Sequence, residues 1–472
     1  MKTKNILYRA LAAGLLASAF TGCGEYLDVN KDPNRTTDPP ITGLLSSATY
    51  NTAYNMYRLG DITSYFVQYL ASPNAGSPTD THQPVNYSNT WGDMYDVMTD
   101  LYDLKAQGVE KGFTDYQGIA NILMAINLSM TVDAWGSVPY SESFDGIVLT
   151  PVYDDGEALY AEALNLVEEG IGLLSGNPGG NVEGASDFIH GGDLEAWTKT
   201  GYALKARLLN HASKQASYDP QAVLSAVDNA YDSNTDDAQM STFSSRNPWA
   251  QAALNNEDLL LDGWLSQQLI DAMDGTTFGL PDPRIEFVTD ELAGGGYIGT
   301  VNGQGRTGGG GTENEENYLE LNSFYAAEDA PLLIITYSEL KFIEAEAAFR
   351  SGMNGRAYAA YREGISANME KLGVLAGQAS AYLNHASVSV GQGALTLDHI
   401  FKEKYIAMFL HPETWVDARR YDYKYTDMTL PENHNSNISG FIRRLAYPDT
   451  ETSRNNANVP QVALDDPVWW DE

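Results

Sequence analysis

Long stretches with apolar residues at helical spacing, several joined by turns of only a few residues, run through most of this 472-residue sequence. Over residues 41–71 the apolar positions recur three and four apart. A second stripe, carried by Trp91, Met94, Tyr95, Met98, Leu101 and Tyr102, stops at Gly112. A third helix, from Tyr116 to about Trp135, follows at once, so these two fold back on each other as an antiparallel pair. Residues 154–174 with 193–214, and 338–350 with 356–372, repeat the arrangement, and 397–410 and 412–421 add two more helices. Thr336 and Glu339 have the spacing of a capping box, and Gly352 supplies the stop. The pattern predicts a mainly α chain of tetratricopeptide-like helix pairs, with no clean repeat of about 34 residues. An irregular helical bundle is the plainer reading of the same residues.

Between the pairs lie irregular stretches at 72–89, 177–192, 234–262 and 276–331, rich in Tyr, Trp and Asn. Loops of this length in a compact protein are usually functional or disordered, and the aromatic content favours function. Tyrosine dominates the aromatics, with 29 Tyr against 14 Phe and 8 Trp. It combines an apolar ring face with a polar tip.

At the N-terminus Lys2, Lys4 and Arg9 precede an apolar run over residues 10–20, too short for the roughly 20 residues that span a bilayer. It reads as a signal peptide. The run ends in Ala19-Phe20-Thr21-Gly22-Cys23, with small residues directly before the only cysteine in the chain. This resembles the lipobox of bacterial lipoproteins, with Phe20 standing where Leu or Val is usual. The resemblance implies removal of residues 1–22, lipidation of Cys23, a lipid-anchored tether over 23–40 and a single helical domain over 41–472. A lone cysteine excludes intrachain disulfides and dithiol redox chemistry. Asp28, Asn30, Asp32 and Asn34 alternate like a calcium loop, but Pro33 and Pro39 occupy the positions of the turn glycine and the bidentate glutamate. No metal site is expected.

The formal net charge of -35 disfavours nucleic acid and anionic lipid as partners. Gly303, Gly305 and Gly308 spell a dinucleotide fingerprint, yet no strand pattern precedes them and no helix pattern follows. The chain has no P-loop, no histidine pair four residues apart and no Gly-x-Ser-x-Gly elbow. A glycosidase needs only two carboxylates, and 63 acidic residues always supply candidates, which makes them uninformative. No catalytic residue and no cofactor are therefore expected.

Several segments, in order, carry a family resemblance: residues 133–142 (DAWGSVPYSE), His190-Gly191-Gly192-Asp193 with Trp197 and Arg207, Asp282-Pro283-Arg284, and Thr336 through Ala347. Arg444 to Pro448 with Glu451 and Asn455, and the closing Val468-Trp469-Trp470-Asp471, complete the series. Together they resemble the SusD/RagB family of outer-membrane nutrient-binding lipoproteins. That resemblance implies four tetratricopeptide-like helix pairs under a loop-rich ligand face. It also implies a non-catalytic protein that sits as a lid over a TonB-dependent SusC-like barrel and delivers an oligosaccharide or, in some branches, a peptide. The motif residues, including Trp135, Arg207, Tyr447 and Trp469, are expected to hold the fold.

A neutral glycan needs flat apolar faces with amides or carboxylates beside them. The family's pockets are built from the loop before the early Trp-bearing helix and from the middle insertions, which here hold Tyr87, Asn89, Trp91, Asn247, Trp249, Gln251, Tyr297, Asn302, Phe324 and Tyr325. Trp91 also opens a helical stripe, and Trp264 is expected in the core. Trp249, after Pro248 in an unpatterned polar stretch, is the leading candidate. Charge puts a neutral oligosaccharide first and a basic peptide second. An enzyme on a similar scaffold and a protein-binding helical adaptor remain the other classes.

Overall fold

The computed structural model describes residues 39–176, 180–257, 263–307 and 316–472. The leader, Cys23, the Asp28–Asn34 pattern and Gly308 lie outside them. Residues Ile41–Glu472 form one compact unit.

The centre of the array is the helix Thr114–Trp135, which is buried along nearly its whole length because apolar and small residues cover every face. It lies between Ser88–Lys111 and Gly156–Ser175. Gly112 adopts a left-handed φ of 70° and directs its N–H to the carbonyls of Gly108 and Val109, so the chain reverses within two residues. On the opposite face the backbones approach closely: a Cβ on Gly118 would lie 2.7 Å from the Leu174 side chain, and one on Gly170 2.9 Å from the Gly118 carbonyl oxygen.

Each of the three expected pairs is present, and neighbouring pairs pack on one another. Ile41–Phe66 packs on Ser88–Lys111; Gly156–Ser175 packs on Leu194–His211, which contacts Pro220–Val227. That short helix meets Tyr337–Arg350, paired with Asn354–Leu372, and Leu397–Ala407 lies against both. Asp155 and Asp193 cap their helices by accepting the N–H groups of the first turn. Thr336 does the same for Glu339, but only half of the expected capping box forms, because the Glu339 carboxylate is taken by Arg207.

The first helix stops at Phe66, earlier than its stripe suggests: Gln68 turns left-handed and Leu70–Ala71 pairs antiparallel with Trp264–Leu265. The apolar run Leu332–Ile335 is a strand paired with Ala238–Met240. Short helices at Pro248–Glu257, Gln267–Met273 and Ala376–Leu383 fall where loops or no element are expected. Two or three turns are marginal in isolation, and tertiary packing supplies what propensity does not. Among the described residues no helix is long and apolar enough to cross a membrane.

Candidate functional site

The ligand residues expected from sequence divide into separate places. Trp249 is not in an unpatterned loop: it sits in the first turn of the helix Pro248–Glu257, 5% exposed and edge-on to Tyr57 with ring centroids 4.8 Å apart. Asn247 is fully buried beside it, accepting from the Trp249 N–H at 2.7 Å and donating to the carbonyls of Tyr325 and Ala330. Tyr325 is buried against Phe409, with the half-buried Phe324 edge-on to it. These four residues form one packed group. The missed signal was Asn247-Pro248, a capping residue followed by the proline favoured at a first helical position.

Trp91 is buried elsewhere, its ring perpendicular to Trp135 at 5.1 Å. Tyr87 is half-buried with its hydroxyl 2.9 Å from that of Thr79, Asn89 is exposed in the first turn of its helix, and Tyr297 is half-buried. Asn302 is buried, donating to the Leu70 carbonyl at 2.9 Å and to Asp80 at 2.6 Å.

Asn302 belongs to a seam of three loops. Asp80 accepts from the N–H groups of Ser72 and Gly303 as well as from Asn302, Glu432 donates its N–H to the Asn302 carbonyl, and Asn435 donates its own to Thr81. Gly303 and Gly305 both have left-handed φ, and a Cβ on either would overlap backbone of Glu432 or Ala75. These glycines let loops touch, which accounts for their spacing without a phosphate.

Beside this seam two cavities adjoin, with Gln268 lining both. The first, about 270 Å³, is polar and is lined by Asn302, Gln267, Asp271, Thr276, Asp427 and Glu432. Burial, then the neighbouring Asp274 and later Asp427, raise the Asp271 carboxyl above its ordinary range. A wall this acidic repels anions. The second cavity, about 400 Å³, is lined by the rings of Phe278, Tyr361, Tyr405, Tyr421 and Tyr425. Asn302 is the one expected ligand residue that reaches either cavity. The other lining residues went unseen because they come from several separate segments, among them the helices Gln267–Met273, Asn354–Leu372 and Leu397–Ala407 and residues 276–280 and 421–432, where the sequence shows packing stripes and turn residues alone. Among the described residues no group of three or more His, Cys, Asp or Glu is arranged to hold a metal ion.

The sequence profile of the SusD-like family, described as starch-binding and associating with the outer membrane, matches residues 33–448. The chain belongs to the SusD-like family. No curated protein matches it. A SusD/RagB family protein from Bacteroides thetaiotaomicron is similar in structure with a TM-score of 0.74 and 20% identity, over 92% of this chain and 99% of that one. A chitin-binding SusD homologue from Flavobacterium johnsoniae gives a TM-score of 0.77 at 19% identity, over 91% of this chain and 98% of that one.

In this SusD-like chain the motif residues build the junction between helix pairs. Arg207 grips Glu339 through Nε at 2.7 Å and Nη2 at 2.6 Å, and also donates to the Ile334 carbonyl. His211 bridges Glu413 at 2.8 Å and the Tyr160 hydroxyl at 2.9 Å, while Asp133 accepts from Tyr160 and from the Trp470 indole. Tyr447 donates to the carbonyls of Trp135 and Ser137, and the Trp135 indole donates to Ala446. Arg284 pairs with Asp282 and Glu403. Nearby cations, Arg420 foremost, hold the Glu346 carboxyl well below its ordinary range against the opposing effect of burial.

Proposed function

We propose that this SusD-like protein captures a neutral oligosaccharide at the surface of the outer membrane, anchored by lipid on Cys23, and passes it to a TonB-dependent SusC-like barrel. The carrying observation is the polar cavity. Its hydroxyls, amides and carboxylates, from Thr276, Thr277, Gln267, Asp427 and Glu432, suit sugar hydroxyls, and its acidity disfavours uronic or sulfated chains. The family's starch-binding description and the chitin-binding neighbour support neutral glycans as the class. Among the residues proposed from sequence, Asn302 shapes the wall of the site, its amide held by Leu70, Asp80 and Ser266, and the half-buried Tyr87, Tyr297 and Phe324 and the exposed Asn89 stay as accessible contacts. Trp91, Asn247, Trp249 and Tyr325 act through packing.

The same carboxylates favour a second reading, a peptide with basic side chains. Calorimetry of the mature chain against soluble neutral polysaccharides, a uronic-acid polymer and a lysine-rich peptide separates the two. Binding confined to neutral glycans is expected; binding confined to the peptide would replace the first reading with the second.

A further inference from the structure

We infer that the aromatic cavity receives an aryl group carried by the glycan, so that the ligand is a sugar chain bearing an aromatic ester or ether; this rests on the glycan reading of the adjoining polar cavity. The reason is where the wall's polar atoms are already committed. The Tyr405 hydroxyl lies 3.0 Å from the carbonyls of both Val67 and Gln68, and Tyr421 donates to Asp398. Glu403 accepts from Arg284, from Tyr382 at 2.9 Å and from Lys402 at 2.6 Å, and the Lys402 ammonium also lies 5.0 Å over the Phe278 ring. His399 commits one ring nitrogen to Thr396.

A sugar ring carries hydroxyls around its rim, and in this cavity most of them would be stranded without partners. An aryl ring carries none. It gains instead from edge and tilted contacts of the kind the wall already makes, with Tyr405 and Tyr421 standing 4.9 and 5.3 Å from Tyr425. The Tyr425 hydroxyl is itself buried, so this residue too offers the cavity its ring and no polar atom. Gln268 lines both cavities, and Thr426, in the wall of the aromatic cavity, directly precedes Asp427 in the wall of the polar one. The sugar therefore continues on that side.

The test titrates the mature chain with 4-nitrophenyl and methyl glycosides of glucose, xylose and N-acetylglucosamine, and with 4-nitrophenol alone. The 4-nitrophenyl glycosides are expected to bind at least ten-fold more tightly than their methyl counterparts. Phe278→Ala, which removes a half-buried face, and Leu280→Trp, which fills the cavity, should each abolish that gain and leave methyl glycoside affinity unchanged. Equal affinities for aryl and methyl forms, or a gain that survives both variants, would overturn the inference and leave the glycan reading standing. Binding of 4-nitrophenol that both variants abolish, with no added affinity from any sugar, would keep the aryl cavity and remove the glycan reading.

Discussion

Arg207 and Glu339 meet across 132 positions of sequence, the guanidinium forked onto the carboxylate at 2.7 and 2.6 Å with both side chains buried. Removing one partner strands the other in a low-dielectric interior, which costs about 3–5 kcal/mol. Glu339→Gln and Arg207→Met are each expected to lower unfolding free energy by that order in urea titrations. The double variant Arg207→Met/Glu339→Leu should recover part of the loss, because the uncompensated charge is gone.

Trp249→Ala is expected to act on stability. The ring is buried between Tyr57 and the core, and truncating a buried Trp costs about 3–5 kcal/mol. Melting temperature should fall by several degrees, and glycan affinity of the folded fraction should stay within two- to three-fold of the parent.

The helix pairs were legible because their stripes are long and their turns short: Gly112 and the Asp155 and Asp193 caps sit where the residue types demand. The site was much less so. Asn302 reads from the sequence as a loop amide, and it lies at the cavity wall because Asp80 and Glu432 pull two distant loops onto it. Sequence spacing carries no trace of that convergence, since the partners lie more than a hundred residues away on either side. Trp249 misled for the opposite reason: polar neighbours suggested exposure, whereas the Asn247 cap starts a helix that turns the ring inward.

His82 makes the fold acid-sensitive. Both ring nitrogens are buried without partners, and burial, aided by the His434 ring, pushes its pKa down to about 3. The unfolded chain, with an ordinary value of 6.5, binds the proton first, so this contribution to stability is complete above that value. It is lost as pH falls, by up to about 1.4 kcal/mol per unit until the folded value is reached. His82→Asn, which tolerates the left-handed φ of 59° at this position, should flatten the pH dependence of urea midpoints between pH 6.5 and 4. An unchanged slope would show that other groups set it, such as the carboxylates and the histidines His190 and His411, whose pKa values burial also lowers.

Gly303→Ala and Gly352→Ala separate strain from collision. Both glycines have left-handed φ, but a Cβ on Gly352 meets open space whereas one on Gly303 collides with Glu432. The first variant is expected to lose stability well beyond the roughly 1–2 kcal/mol of backbone strain and to weaken glycan binding by loosening the loop seam. The second should lose the strain cost alone.

Whether the polar cavity holds the neutral glycan is read from calorimetric affinity for the tightest neutral oligosaccharide found by screening, compared between the parent chain and Asp427→Gly/Glu432→Ala. Both side chains are exposed, and glycine tolerates the left-handed φ of 63° at position 427, so melting temperature should stay close to the parent's. At least a ten-fold loss of affinity at near-parental stability is expected; affinity equal to the parent's would place the glycan elsewhere.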